Sequence, residues 1–305
     1  MAKNIIETFD LSKKYILRGQ NKEIIALNKA NISIKEGEIF GLLGPNGAGK
    51  TTMIKILTTL IQPSSGYAII DGDNILNNTK KIRTKIGLML DCQMLYNRIT
   101  GFDNLKFCCK IYDIPDYKKK IYRIAKDFNL KKWLNQYVHN YSMGMKMKLA
   151  LCRTLLIDRK ILFLDEPTFN LDLKSKAFII DTLKKVNKTI FLTSHDMYVI
   201  KKLCDRIAFI KNGEINRIGT KNDIKRFMQK GIKVKIGITE NKSGLISDLS
   251  RQEFISEITN NKDNITFTLK RRNYFQDLFS ILSKYKILRI KEQDLSLEDI
   301  FLKIT

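Results

Sequence analysis

Short apolar runs alternate with turn residues along the first part of the chain. Runs at residues 5–9, 24–27 and 32–34 precede a more strongly apolar run at 38–43. Because short apolar runs bounded by polar turns are typical of strands, the first three predict an antiparallel sheet and the fourth a buried parallel strand. Later runs predict strands at 67–70, 86–90, 161–164, 189–193, 206–210 and 214–218, the last two joined in a hairpin through Asn212-Gly213.

The period of the apolar positions becomes helical between residues 100 and 156. Thr100 and Asp103 form a capping box ahead of Leu105. Ser142 is an N-cap residue in front of a long amphipathic pattern that ends near Leu156. These features predict a helical subdomain, at about residues 95–157, inserted into an α/β core.

The last quarter of the chain has its own pattern of strands and helices and no catalytic cluster. Strands are predicted at 232–238, 255–258, 265–269 and 287–290, and helices at 220–229 and 274–284. A final helical face carries Leu297, Ile300, Phe301 and Ile304. Since 305 residues exceed one average domain, we expect a core domain over 1–229 and a small α+β accessory domain over 230–305.

The net charge of the chain adds little to these predictions. Lysine and arginine number 55 against 31 acidic residues, which gives a net charge of +24. The basic residues are spread along the chain and form no stripe interleaved with aromatics, so a nucleic-acid partner is not expected. We interpret the charge as a general bias, with attraction to a negatively charged membrane face as a secondary consequence.

Neither a membrane span nor a secretory signal is indicated, because no run approaches the roughly 20 apolar residues that cross a bilayer. We therefore expect a cytosolic chain. The five cysteines are odd in number and have no C-x-x-C spacing, which favours neither a disulfide framework nor a zinc site.

The stretch Gly44-Pro45-Asn46-Gly47-Ala48-Gly49-Lys50-Thr51 matches the pattern G-x-x-x-x-G-K-[ST]. It follows the predicted strand at 38–43, and Thr52 leads into a helix predicted at 53–60. Glycines let backbone N–H groups approach phosphate oxygens, and a helix N-terminus adds its positive dipole end. Lys50 would supply a cation for the outer phosphates and Thr51 a hydroxyl for Mg²⁺.

Two other predicted strands end in residues whose side chains can take part in catalysis or bind a ligand. Asp165-Glu166 follows the strand at 161–164, and Ser194-His195-Asp196 follows the strand at 189–193. Open α/β sheets bind ligands at the carboxyl ends of their strands. We therefore expect these side chains at one site with the phosphate loop.

In this order the motifs resemble the ATP-binding subunit of an ABC transporter over residues 1–225. The chain beyond them is similar to the accessory domain of drug-export and related ABC-2-type subunits. The phosphate loop resembles the Walker A motif of this family, and residues 161–166 resemble its Walker B motif. Ser142-Met143-Gly144 resembles the signature, and Leu171-Asp172 resembles the D-loop. His195 stands at the place of the switch histidine and Tyr15 at that of the adenine-stacking aromatic.

The resemblance implies a P-loop NTPase core of the ABC ATPase type, with an antiparallel β subdomain, that uses ATP and Mg²⁺. Asp165 would hold the metal, Glu166 would be the general base for attack by water, and His195 would contact the γ-phosphate. Ser142, Gly144 and Asp172 would belong to a head-to-tail dimer in which each signature closes over the nucleotide of the other subunit.

Three positions depart from the family pattern. The glutamine that usually reaches Mg²⁺ is replaced by Asp91 if no gap is allowed, with Gln93 nearby, so either residue is a candidate metal ligand. Met143 and Asn170 stand where glycines are common, although asparagine tolerates a left-handed backbone.

The function implied is ATP hydrolysis that drives export through a separately encoded, multispanning permease. The subunit would form a homo- or heterodimer and lie peripherally on the inner face of the cell membrane. The alternatives are a non-transport ABC ATPase acting on ribosomes or nucleic acid, and a regulatory nucleotide-binding subunit.

Overall fold

In a computed structural model of the chain, residues 3–17, 22–90, 94–223, 232–261 and 264–293 are described. The chain divides into two compact units at Lys221 and Asn222. The strands of the first unit are β1 (Asn4–Leu17), β2 (Lys22–Ala30), β3 (Ser33–Lys35), β4 (Ile39–Leu43), β5 (Ser65–Ile70), β6 (Asp73–Asn74), β7 (Ile86–Met89), β8 (Ile161–Asp165), β9 (Thr189–Ser194), β10 (Arg206–Lys211) and β11 (Glu214–Thr220).

The helices of the first unit lie between its later strands. They are α1 (Lys50–Leu57), α2 (Thr79–Lys85), α3 (Gly101–Ile111), α4 (Tyr117–Asp127), α5 (Met143–Leu156), α6 (Leu173–Lys185) and α7 (Met197–Leu203). Within the described residues, no helix is both long and apolar enough to cross a membrane.

A six-stranded sheet forms the centre of this unit, in the order β11-β10-β4-β9-β8-β7. Every neighbouring pair from β10 to β7 is parallel, and β11 closes the sheet as an antiparallel strand. The predicted hairpin turn is confirmed, since Asn212 and Gly213 both have positive φ. Because β9 lies between β4 and β8, the carboxyl ends of these three strands meet at one edge.

The predicted antiparallel sheet is also present, in the order β2-β1-β5-β6 with β3 beside β1. β1 is longer than the predicted strand at 5–9 because it changes partners along its length. Its first half pairs with β3 and β5, and its second half pairs with β2. Thr8 bridges the change, with its hydroxyl donating to Ala30 O and accepting from the Ile32 N–H.

Both predicted helix caps of the helical segment are confirmed. The Thr100 hydroxyl accepts from the Asp103 N–H, and Ser142 accepts from the Met145 N–H at the start of α5. The pattern did not predict α2, α6 and α7; of these, α2 and α7 have only seven residues each, too few to show a clear helical period. Ile82 alone is buried in α2.

The described elements of the second unit are β12 (Ile232–Ile238), α8 (Lys242–Ser250), β13 (Ile255–Asn261), β14 (Asn264–Leu269), α9 (Phe275–Leu282) and β15 (Ile287–Gln293). The four strands form an antiparallel sheet in the order β13-β14-β12-β15, which packs against the two helices. The predicted helix at 220–229 is wrong at its start, since Thr220 ends β11 and pairs with Arg206. The final helical face at Leu297–Ile304 lies outside the described residues.

Aromatic side chains fill the middle of the central sheet. Phe191 of β9 is fully buried, and its ring centroid lies 5.9 Å from that of Phe40 and 5.7 Å from that of Phe163. These contacts join the three strands whose ends carry the predicted chemistry.

We expect Phe191→Ala to lower the free energy of unfolding by about 3–5 kcal/mol, because it opens a cavity at this junction. Chemical denaturation monitored by circular dichroism measures the loss. The control is Phe107→Ala, whose ring is 44% exposed and whose loss should stay below about 1 kcal/mol. Equal losses in the two variants would contradict this view of the core.

Candidate functional site

The phosphate loop connects β4 to α1 in a backbone conformation that requires glycine. Gly47 and Gly49 have φ of 80° and 105°. A Cβ on Gly49 would lie 2.2 Å from Ala26 O, and one on Gly44 would lie 2.3 Å from Ile210 O. The loop therefore packs closely against β2 and β10, and α1 begins at Lys50 with Gly49 as its N-cap residue.

A cavity of about 200 Å³ lies in front of this loop. Its volume and its backbone N–H groups at a helix start suit phosphate groups. Of the other loop residues, Ala48 is turned into the core and is 3% exposed. The residues that line the cavity are Ala26, Asn46, Gly47, Gly49, Lys50, Thr51, Thr52 and Glu166.

Lys50 is the cation of the cavity and is almost completely buried, at 6% exposure. Its ammonium donates to the carbonyl oxygens of Gly44 at 2.8 Å and Pro45 at 3.0 Å. It also lies 3.2 Å from Glu166 Oε1. A buried charge needs such partners, and a phosphate oxygen could take the place of the carboxylate.

Asp165 is held by two threonine hydroxyls at the end of β8. Thr51 donates to its Oδ2 at 2.7 Å, and Thr193 of β9 donates to its Oδ1. Burial raises the pKa of Asp165, and the two hydroxyl donors oppose that rise. A carboxylate and a hydroxyl in contact are hard oxygen donors, so this pair fits Mg²⁺.

Glu166 and His195 lie side by side at the same edge of the sheet. His195 Nδ1 is 3.0 Å from Glu166 Oε2, and the His195 N–H donates to that oxygen at 3.4 Å. Glu166 has a φ of 47°, and its own N–H donates to Thr193 Oγ1. The left-handed backbone of this residue is a local strain that its partners maintain. Lys50, Glu166 and His195 thus form one continuous chain of contacts.

The signature and the D-loop meet at a second place. A Cβ on Gly144 would lie 3.2 Å from Ser175 Oγ, and 3.9 Å from a methyl carbon of Leu171. Asp172 caps α6 by accepting from the Ser175 N–H and hydroxyl, both at 2.9 Å. These bonds lower the pKa of Asp172. Neither Ser142, Gly144 nor Asp172 lines the phosphate-loop cavity of its own chain.

The remaining predicted residues lie apart from the cavity or cannot be located. Tyr15 is opposite Ile24 in the β1–β2 pair, is 39% exposed, and is not among the lining residues. Asp91 and Gln93 are outside the described residues. Asn170 has a φ of 55°, the left-handed backbone expected from its replacement of glycine.

Thr193 is the functional residue that sequence reasoning missed. Its hydroxyl orients Asp165 and accepts from the backbone of Glu166, and its side chain is fully buried. The available signal was a threonine at the carboxyl end of an apolar strand, immediately before Ser194 and His195. The role of Thr193 can be recognised only when β8 and β9 are known to be neighbours, which the pattern alone does not establish.

Comparison with known proteins identifies the family. Residues 27–169 match the ABC transporter family, and residues 219–305 match the C-terminal domain of DrrA1-3-like ATP-binding proteins. The bacitracin transport ATP-binding protein BcrA of Bacillus licheniformis is 33% identical over 98% of this chain and 97% of its own length. This chain belongs to the ABC transporter ATP-binding proteins.

Among solved structures, this ABC subunit is similar to an ATP-binding cassette determined as a dimer in a post-hydrolysis state with ADP and Pi bound. The TM-score is 0.65 at 28% identity, over 70% of this chain and 98% of that one. The chain spans only 35% of a longer relative, ABC transporter A family member 7 of Dictyostelium discoideum, at 33% identity over 92% of this chain. The chain is the ATP-binding subunit of an ABC transporter and an ATPase.

We expect Thr193→Val to lower the free energy of unfolding by about 1–3 kcal/mol, because it leaves a buried carboxylate oxygen and the Glu166 N–H without a partner. Denaturant unfolding measures the change. The control is Thr182→Val, whose partly buried hydroxyl only donates back to Phe178 O within α6. A loss no larger than that of the control would show that Thr193 does not hold the carboxylates.

Proposed function

We propose that this ABC ATPase hydrolyses ATP at a site completed by a second ATPase subunit and thereby powers export through a separate membrane permease. The observation that carries the proposal is the contact chain of Lys50, Glu166 and His195 beside the Thr51–Asp165 pair. A cation, a carboxylate base and a hard-oxygen metal pair are the parts that phosphoryl transfer to water needs.

Lys50 links ATP binding to release of the base. The main-chain N–H groups of Gly47 and Gly49 would hold phosphate oxygens, and Lys50 would bind an outer one. When Lys50 binds a phosphate oxygen, its contact with Glu166 Oε1 breaks. Glu166 then accepts the proton of the attacking water.

Thr51 and Asp165 would hold Mg²⁺, because their oxygens are in contact and of the type that this ion prefers. The chemistry that bound Mg²⁺ supplies is neutralisation of charge on the phosphate oxygens. Gln93, or Asp91, is proposed as a further ligand. Tyr15 is proposed to stack on the adenine ring, for which its exposed face on β1 is suitable.

His195 would orient the base and contact the γ-phosphate. Its Nδ1 faces Glu166, so the other ring nitrogen is the one that can bond a phosphate oxygen. Phe169 packs edge-on against the imidazole at 5.5 Å and limits its rotation. These contacts support a role in sensing whether the γ-phosphate is present.

A second subunit is needed because the signature residues lie away from the cavity of their own chain. Ser142 begins α5, and the first N–H groups of a helix form an anion site. Gly144 follows in the first turn of α5 and lies near Ser175, whose N–H donates to Asp172. We propose that these residues close over ATP held by the partner in a head-to-tail dimer, of identical or different subunits.

Export through a permease is proposed from the name of the bacitracin transport relative and from the DrrA-like C-terminal match. The subunit would then lie in the cytoplasm, peripherally on the inner face of the membrane. Tyr96 is 49% exposed, and Asn104 bonds its backbone N–H and C=O. Its ring packs against Phe107 at 5.3 Å, and this rigid aromatic pair is suited to contact the permease.

Glu166→Gln should reduce ATP turnover by about 10²–10⁴-fold, because the amide cannot accept the proton of water. ATP should still bind at least as tightly, since Lys50 loses a competing carboxylate. Turnover assays and equilibrium binding of ATP measure the two effects. Lys50→Ala is the matched variant and should weaken ATP binding itself. Wild-type turnover in Glu166→Gln would refute the assignment of the base.

Mixing variants tests the shared site. Lys50→Ala and Gly144→Asp should each be inactive, but equal mixing should restore about a quarter of wild-type activity. Half of the dimers are then mixed, and each mixed dimer has one intact site of two.

The control is a mixture of Lys50→Ala and Glu166→Gln. Both changes damage the same half of the shared site, so no mixed dimer has an intact one and no activity should return. For a dimer of identical subunits, recovery in the control, or none with Gly144→Asp, would contradict the head-to-tail arrangement.

A further inference from the structure

The sheet of the second unit has one face covered by helices and one face that is polar. Val234 and Ile236 of β12 are buried with the apolar side chains of α8 and α9. Because side chains alternate along a strand, Lys235 and Gly237 lie on the opposite face. On the neighbouring strand β15, Lys291 pairs with Lys235 and Arg289 pairs with Gly237.

This arrangement brings positive charges close together, which lowers the stability of the sheet. Like charges directly opposite each other on paired strands are destabilising. Nearby cations of the same unit have carboxylate partners, Arg272 with Glu292 and Lys286 with Glu240. Within the described ranges, no carboxylate forms an ion pair with Lys235, Arg289 or Lys291.

Gly237 is a second feature that the fold does not require. Its φ is not positive, and a Cβ added there would meet no atom closer than Arg289 Cβ at 3.7 Å. Neither backbone conformation nor crowding therefore demands a glycine. Glycine inside a strand weakens it and often marks a bulge or a place that a ligand approaches closely, and the register of β12 against β15 shifts between Gly237 and Ile238.

The two features meet at one cavity of about 320 Å³. Its volume suits a small ligand, and its lining carries three positive charges and one amide. Arginine and lysine together are the side chains that recognise phosphate groups. The residues that line it are Lys235, Gly237, Asn264, Arg289 and Lys291.

We propose that this cavity binds a phosphate-bearing ligand, which Lys235, Arg289 and Lys291 hold and for which Gly237 leaves room. The ligand compensates the repulsion between Lys235 and Lys291, so binding recovers the stability that the like-charge pair loses. Its lining shares no residue with that of the phosphate-loop cavity, and the proposal does not depend on the function proposed above.

Two probes distinguish a free phosphate from a lipid headgroup. The first is pyrophosphate, titrated by calorimetry into the full chain with the phosphate loop saturated by ADP. The second is flotation with phosphatidylcholine vesicles that contain or lack phosphatidic acid. Binding of pyrophosphate assigns a soluble ligand, and binding only to the phosphatidic acid vesicles assigns a headgroup.

Variants locate the binding and separate it from folding. Lys291→Glu and Gly237→Val should each weaken binding about tenfold or more, since one reverses a contact charge and the other fills the cavity. Both should raise the thermal midpoint of this unit, because the first pairs Lys235 and the second introduces a residue that favours strands.

Lys284→Glu is the control for net charge, because Lys284 is an exposed residue of the same unit outside the cavity. It should change binding less than about twofold. The proposal is overturned if the wild-type chain binds neither probe, or if Lys284→Glu weakens binding as much as Lys291→Glu. It is also overturned if Lys291→Glu and Gly237→Val lower the thermal midpoint, since the cations and the glycine would then be structural.

Discussion

The structure depends on how three charged side chains are accommodated at the carboxyl edge of one parallel sheet. Lys50 and Asp165 are buried and Glu166 is partly buried, and buried charges are tolerated only with close partners. Insertion of β9 between β4 and β8 supplies those partners, because Thr193 bonds both carboxylate residues and His195 bonds Glu166. The strand order therefore brings these groups into contact.

Much of this could be predicted from the sequence where local chemistry is decisive. The glycines at Gly47 and Gly49, the caps at Thr100 and Ser142, and the turn at Asn212 depend on backbone conformation or on bonds to nearby residues. Buried parallel strands also have a strong apolar signal. For the same reason the phosphate loop could be assigned before its neighbours were known.

The features that were not predicted depend on contacts with residues distant in the chain. α2 and α7 have seven residues each, so their stability comes from packing rather than from a periodic pattern. Thr193 matters only because β8 pairs with β9. Likewise, Lys235 and Lys291 are ordinary strand lysines until the register of β12 and β15 sets them opposite each other.

We propose that Lys50 exchanges Glu166 for a phosphate oxygen when ATP binds. A crystal structure of the full chain with Mg²⁺ and a non-hydrolysable ATP analogue would reveal this exchange. We expect phosphates in the cavity bounded by Gly47, Gly49 and Lys50, with Nζ on an outer phosphate oxygen and no longer in contact with Glu166 Oε1. Phosphates bound elsewhere, or an intact Lys50–Glu166 pair beside bound nucleotide, would contradict it.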